Sequence, residues 1–185
     1  MEYGRSWPDF LQLDSETPIG VGAIAQVYRG TLLKSQKQVA VKVLHPGVAE
    51  LIQNDLTLLH FMASCVHAIP GLQWLSFPDE VNTFGRMMMA QLDLRNEVRN
   101  LDLFQTRFHD RPGIRFPKPF KRYQKQSVLI EEYISGVPIH QFLTLGPSVY
   151  DSDLAAFGFE SFLVSLKLLS LMMIENAHFG QLCSC

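Results

Sequence analysis

The sequence predicts an α+β fold in which helices pack against an antiparallel sheet, and three observations predict it. A β-prone run around Gln26, Val27 and Tyr28 is followed, across a turn, by a second over residues 38–44, as in the two arms of a hairpin. A third run, S-V-L-I-E-E-Y-I at 127–134, stands far downstream. Apolar residues recur at helical spacing from Val48, from Ser76 and from Asp151. With 185 residues that are 47% hydrophobic, the chain has apolar mass enough for one globular core.

The stretch that organises the rest is 18–42, which reads P-I-G-V-G-A-I-A-Q-V-Y-R-G, then a turn, then V-A-V-K. Gly20 and Gly22 stand two apart, Ala25 sits where a third glycine would complete G-x-G-x-x-G, and Val27 follows. Glycines so placed let a hairpin backbone lie close over phosphates, with no Cβ in the way. A glycine pair alone also marks an ordinary tight hairpin. Lys42 is what distinguishes the two, because a charge closing a buried strand run is costly without a partner or ligand. A dinucleotide-binding Rossmann loop would need a helix after the glycines, and here strand residues follow. Gly-rich hairpin, a valine below the base, then a strand lysine for the α/β-phosphates is the order of a protein-kinase small lobe.

Charge and cysteine usage narrow the partners. A net charge of −2 with no Lys/Arg run gives no reason to expect nucleic acid. Cys65, Cys183 and Cys185 form no disulfide framework and point to a reducing compartment. The first residues carry Glu2, Asp9, Asp14 and Glu16 against Arg5, unlike a secretory signal or an Arg-rich transit peptide, so no targeting segment is expected. The apolar run 159–174 contains Lys167 and several serines and is shorter than a span of about 20 residues, so a buried helix is expected there.

Taken in order, residues 1–17 are a leading segment with Trp7 and Phe10 as its anchors. After Lys42, H-P-G at 45–47 ends the strand, and Leu51, Ile52, Leu56, Leu59, Met62, Val66 and Ile69 trace a helix that Pro70-Gly71 stops. A second, longer helix is expected over 76–110, with Ser76 as N-cap and Pro78, Asp79 and Glu80 in its first turn. Asp93 and Glu97, four apart, would share one face of it. That pair reads as a solvated face beside Arg95 and Arg99, as a metal or acid/base pair, or as a glutamate turned inward to meet Lys42. The presence of Lys42 favours the last.

Residues 111–120 are a Pro-punctuated connection, and the 127–134 strand ends in S-G-V-P. In a kinase-like layout Glu131, Glu132 and Tyr133 fall where a hinge would meet the nucleotide base; an edge strand with exposed acids fits the same residues. A last helix, over 151–176 with Asp151 or Ser152 as cap, has an apolar face wide enough to expect cover on several sides.

Together these segments resemble the UbiB/ABC1 (ADCK) family of atypical kinase-like proteins. The resemblance rests on G-x-G-x-x-A-Q-V-Y at 20–28, V-A-V-K-V-x-H-P-G-V at 39–48 and L-D-L-R-N-E at 92–97. V-L-I-E-E-Y-x-S-G at 128–136 and L-M-M-I-E-N at 171–176 complete it. It implies a kinase-like small lobe over 18–136 and only the first helices of the large lobe over 137–185. It implies ATP as the ligand, with Gly20, Gly22, Ala25, Val27, Lys42, Glu97, Glu131, Glu132 and Tyr133 as the nucleotide-binding set. It further implies a mitochondrial setting, a link to coenzyme Q biosynthesis and lipid handling, and possible lipid or membrane contact.

Several family motifs are missing from these 185 residues. The family's K-x-G-Q has no match in 1–17, and its E-x-D is Gln91-x-Asp93 here. After Asn176 the family pattern H-A-D-x-H-P-x-N, and later D-F-G, would supply a catalytic Asp and the residues that hold Mg²⁺. This chain instead reads A-H-F-G-Q-L-C-S-C, with His178 and no following Asp, so no metal site and no catalytic residue are expected. The expectation is a truncated kinase-like protein that binds nucleotide weakly without phosphotransfer. Two alternatives stand beside it: an interaction or lipid-facing module using helix 153–176, and a non-functional fragment.

Overall fold

The computed structural model describes residues 7–110, 113–137, 141, 151–160 and 162. Residues up to Ile134 form one compact unit, and those from Ser135 a second. The first holds an antiparallel sheet of five strands: β1 (Leu11–Leu13), β2 (Gly20–Val21), β3 (Ala25–Leu32), β4 (Lys37–Leu44) and β5 (Val128–Glu132). The order is β1-β3-β4-β5, with β2 also on β3. The helices are α1 (Val48–His67), α2 (Phe77–Gln91) and α3 (Leu94–Arg107).

The β3–β4 hairpin is the frame. Its register pairs Val27 with Lys42 and Arg29 with Ala40, while β4 pairs Lys42 with Leu129 and Ala40 with Glu131. Side chains alternate across a strand, so these registers sort the sheet into two faces. The outer face carries Leu32, Val39, Val41 and Ile130, buried together with Leu11. Phe10 and Tyr123 pack on that cluster with their rings stacked at 5.0 Å. The inner face carries Val27, Lys42, Ala40, Leu129 and Glu131, and α3 lies on it through Leu94 and Val98 against Leu129.

The leading segment is part of this sheet. Leu11–Leu13 pairs with β3, opposite Leu32, Thr31 and Gly30. Gly30 lets β1 lie close against β3: a Cβ there would stand 2.6 Å from the Gln12 carbonyl oxygen. Phe10 anchors this segment, whereas Trp7 is half exposed in a short 3-10 turn. β1 and β2 lie in turn along the same edge of β3, so residues 11–21 act as one interrupted edge strand.

The long helix expected over 76–110 is two helices, broken at Leu92 and Asp93. In one continuous helix, residues two apart point about 200° from each other. Leu92 and Leu94 are both buried, the first against Val48 and Ile52, the second against Val98 and Leu129. The break lets both turn inward. Asp93 therefore caps α3, accepting from the Arg95 N–H at 3.0 Å, rather than sharing a helical face with Glu97. Ser76 does precede α2, but in left-handed backbone with no side-chain capping bond.

In the second unit residues 151–160 are helical, and Phe157 and Phe159 are exposed. Most of the expected last helix, the 163–174 part of the apolar run and His178 lie outside the described residues. Among the described residues no helix is long and apolar enough to cross a membrane.

Candidate functional site

The candidate site lies on the inner face, under the β2–β3 hairpin. Gly20 and Val21 pair with Val27 and Gln26, and the Gly22 N–H donates to the Ala25 carbonyl at 2.8 Å to close the turn. Neither Gly20 nor Gly22 has a positive φ. A Cβ on Gly20 would meet no atom within 4 Å, and one on Gly22 only the Ala25 carbonyl at 3.5 Å. The fold itself does not demand glycine at either position, and the open space beside Gly20 fits the close approach of a ligand. Ala25 is buried and opposite Leu44, a packing position at the root of the hairpin.

Lys42 projects from β4 directly across from Val27. Its Nζ donates to both carboxylate oxygens of Glu97, at 2.9 Å to Oε1 and 2.7 Å to Oε2. α3 carries Glu97 in its first turn, where helix-end N–H groups favour a carboxylate. The Lys42 and Glu97 side chains are 28% and 37% exposed, so the pair is reachable from solvent and from a ligand on this face. Of the readings open for Asp93 and Glu97, the inward Glu97 holds. Asp93 turns to Arg95, whose guanidinium holds the Asp93 carboxyl below its ordinary value.

The 131–133 stretch divides between the two faces. Glu131 stands on the inner face beside Leu129; Glu132 stands on the outer face and takes a hydrogen bond from Arg115. The N–H groups of Glu132 and Tyr133 donate to the carbonyls of Lys118 and Gln38. These two backbone donors are thus engaged within the sheet. The Tyr133 ring lies under the Arg29 guanidinium, 5.0 Å from its centroid. Val27, Lys42, Glu97 and Glu131 come together, then, while Glu132 does not join them.

Two features went unread in the sequence. His45 Nε2 lies 3.0 Å from the Gly22 carbonyl oxygen, so the residue just past β4 ties down the glycine hairpin. The H-P-G triplet signalled only a strand end. Glu131 is the other: burial, reinforced by Glu97, pushes its carboxyl up from 4.5 to about 7, with Lys42 opposing. An acid in a β-prone run gave no sign of this without the register that seats it beside Glu97.

The sequence pattern of the ABC1 atypical kinase-like domain matches residues 1–175. The chain belongs to that family. A mitochondrial ABC1 family protein of Saccharomyces cerevisiae is 38% identical over 156 residues, covering 76% of this chain and 23% of the relative. A mitochondrial ABC1 family protein of Schizosaccharomyces pombe is 33% identical, over 86% of this chain and 26% of its own. A probable protein kinase UbiB of Vibrio campbellii is 29% identical over 73% of this chain and 24% of its length. The chain spans about a quarter of the length of these ABC1 relatives. The antiparallel sheet with helices on it is consistent with a kinase-like small lobe, as the sequence predicts.

Proposed function

We propose that the inner sheet face binds the phosphates of a nucleotide, ATP by family resemblance, and that these 185 residues alone carry out no phosphotransfer. The observation that carries the reading is the Lys42–Glu97 pair under a glycine hairpin that leaves open space at Gly20. Glu97 fixes the lysine ammonium in place, and the ammonium meets α/β-phosphate oxygens as a point charge. Val27, directly opposite Lys42, offers an apolar floor for a base. Since the Glu132 and Tyr133 N–H groups are engaged, base contacts from that stretch would fall to side chains or carbonyls.

No Mg²⁺ site is assigned. Among the described residues no three His, Cys, Asp or Glu side chains cluster as a metal would need. Because the family motifs that would hold Mg²⁺ are missing from these 185 residues, binding is expected to be weak and to depend on Lys42 more than on magnesium. Titration of a fluorescent ATP analogue, with and without Mg²⁺, against the parent and Lys42→Ala tests this. Saturable binding lost in Lys42→Ala supports the reading, and a strict Mg²⁺ requirement would reveal a metal site made by other acids. A mitochondrial location, and a part in coenzyme Q or lipid metabolism, are proposed on the family resemblance and on two relatives that are mitochondrial by name.

One observation favours a second reading, a docking module for a partner or a lipid surface. Phe157, Phe159 and Phe162 are 53%, 64% and 59% exposed in the second unit. Under this reading Lys42→Ala would leave the protein's activity in cells unchanged, while charged substitutions at Phe157 and Phe159 would abolish it.

A further inference from the structure

Glu131 is the one carboxyl on the inner sheet face with no hydrogen bond or ion pair among the described residues. It lies two residues along β5 from Leu129, the cross-strand partner of Lys42, so Lys42 and Glu131 project from the same face as diagonal neighbours. Its own partner across the ladder is Ala40, whose methyl leaves the Glu131 carboxyl uncovered on that side. Lys42 is already held by both oxygens of Glu97. The face thus sets two carboxyls against one ammonium.

Several surrounding charges are committed elsewhere, while Lys118, next to the Pro119 that bridges Glu131, makes no ion pair among the described residues. Arg29 of β3, two strands away on the same face, holds Asp14 at 2.7 Å and lies over Tyr133. Lys121, packed beside β5, holds Asp102 at 2.6 Å, and Arg122 lies over Tyr123. Arg115 serves Glu132 on the opposite face, and Arg95 of α3 serves Asp93. Lys42 and Glu97 are the charged groups that act on Glu131.

We propose that Glu131 controls how readily the Lys42 site admits phosphate: neutral, it leaves Lys42 and Glu97 a balanced pair that admits phosphate, and ionised, it opposes phosphate entry. With Glu131 protonated the three groups sum to zero charge, and with it ionised they sum to −1. A nucleotide polyphosphate is then repelled by a charge on the face it must approach. Burial and Glu97 place the change near neutrality, at about 7. No acid in the site has to bind the nucleotide for this to operate. The proposal rests on the phosphate-binding reading above and adds to it the residue that tunes it.

The test is binding of a fluorescent ATP analogue between about pH 6 and 8.5 at fixed ionic strength, for the parent, Glu131→Gln and Glu131→Met. The ligand's own phosphates also titrate in this range, but they are common to all three proteins and cancel in the comparison. The expected result is that parent affinity falls roughly fivefold further over this range than that of either neutral variant. Thermal melts confirm that the variants fold, and two neutral side chains guard against failure of either. Parallel pH profiles with binding intact would overturn the role of Glu131 while leaving the phosphate site standing. Absence of binding in all three proteins at every pH, including the neutral variants, would overturn the phosphate reading and the Glu131 role together.

Discussion

Lys42 and Glu97 meet across 55 residues of sequence, and each is explained by the other. A lysine ending V-A-V is improbable in a strand with an apolar face unless something receives it. That made the Lys42–Glu97 pair legible before the structure, although Asp93 was expected on the same helical face and instead caps α3. Because both side chains are partly exposed, the pair is worth about 0.5–1.5 kcal/mol rather than the figure for a fully buried bridge. A double-mutant cycle of Lys42→Met and Glu97→Gln, read by urea denaturation, is expected to return a coupling of that size. Glu131 was placed in the nucleotide-binding set by the resemblance, but its raised carboxyl was illegible, because its surroundings, not its neighbours in sequence, set it. Its carboxyl is raised from 4.5 to about 7 in the folded protein, so the folded state keeps a proton that the unfolded chain has lost. Stability from this group is complete below about 4.5 and falls as pH rises toward 7. The loss is on the order of 1–2 kcal/mol once solvent screening of a half-buried carboxyl is allowed for. Glu131→Gln is expected to flatten that slope in melts run from pH 4.5 to 8.

Among the elements, β3 and β4 were legible because eight residues each suffice to show a strand pattern, and β5 because V-L-I-E-E sits in a strongly β-prone run. β1 was not, since L-Q-L is too short to show one, and what marks it is Gly30, well downstream in β3. The glycines of the sheet have opposite purposes, and substitution separates them. Gly30→Ala drives a methyl into the Gln12 carbonyl and is expected to cost about 1–3 kcal/mol by displacing β1. Gly20→Ala meets no protein atom and is expected to leave the melting temperature unchanged while weakening nucleotide binding. A loss of stability in Gly20→Ala as large as in Gly30→Ala would make the first glycine structural. The α2–α3 break was hidden because the apolar pattern on both sides is helical, and only two leucines at a spacing of two conflict with a single helix. Asp93→Ala removes the cap that starts α3 and is expected to cost about 1 kcal/mol by chemical denaturation.

The Lys42–Glu97 pair and the glycine hairpin share one face of the sheet, the face proposed to meet a nucleotide. The polypeptide has no H-A-D-x-H-P-x-N or D-F-G, and its ABC1 relatives are about four times as long as the stretch they share with it. Purified 185-residue protein is therefore expected to release no phosphate from ATP above background. Turnover abolished by His178→Ala would overturn that. The topology also orders events in time. The β3–β4 hairpin closes over a four-residue turn, whereas β5 must find β4 across some eighty residues before α3 has a surface to dock on. Contacts that close long loops form late, because the entropy of closure has to be met first. The Lys42–Glu97 pair needs both elements in place, so Glu97→Gln should speed unfolding in stopped-flow experiments and leave the refolding rate almost untouched. The charge that would greet a nucleotide is assembled only when the chain has finished folding, and a half-folded molecule would have no grip on one.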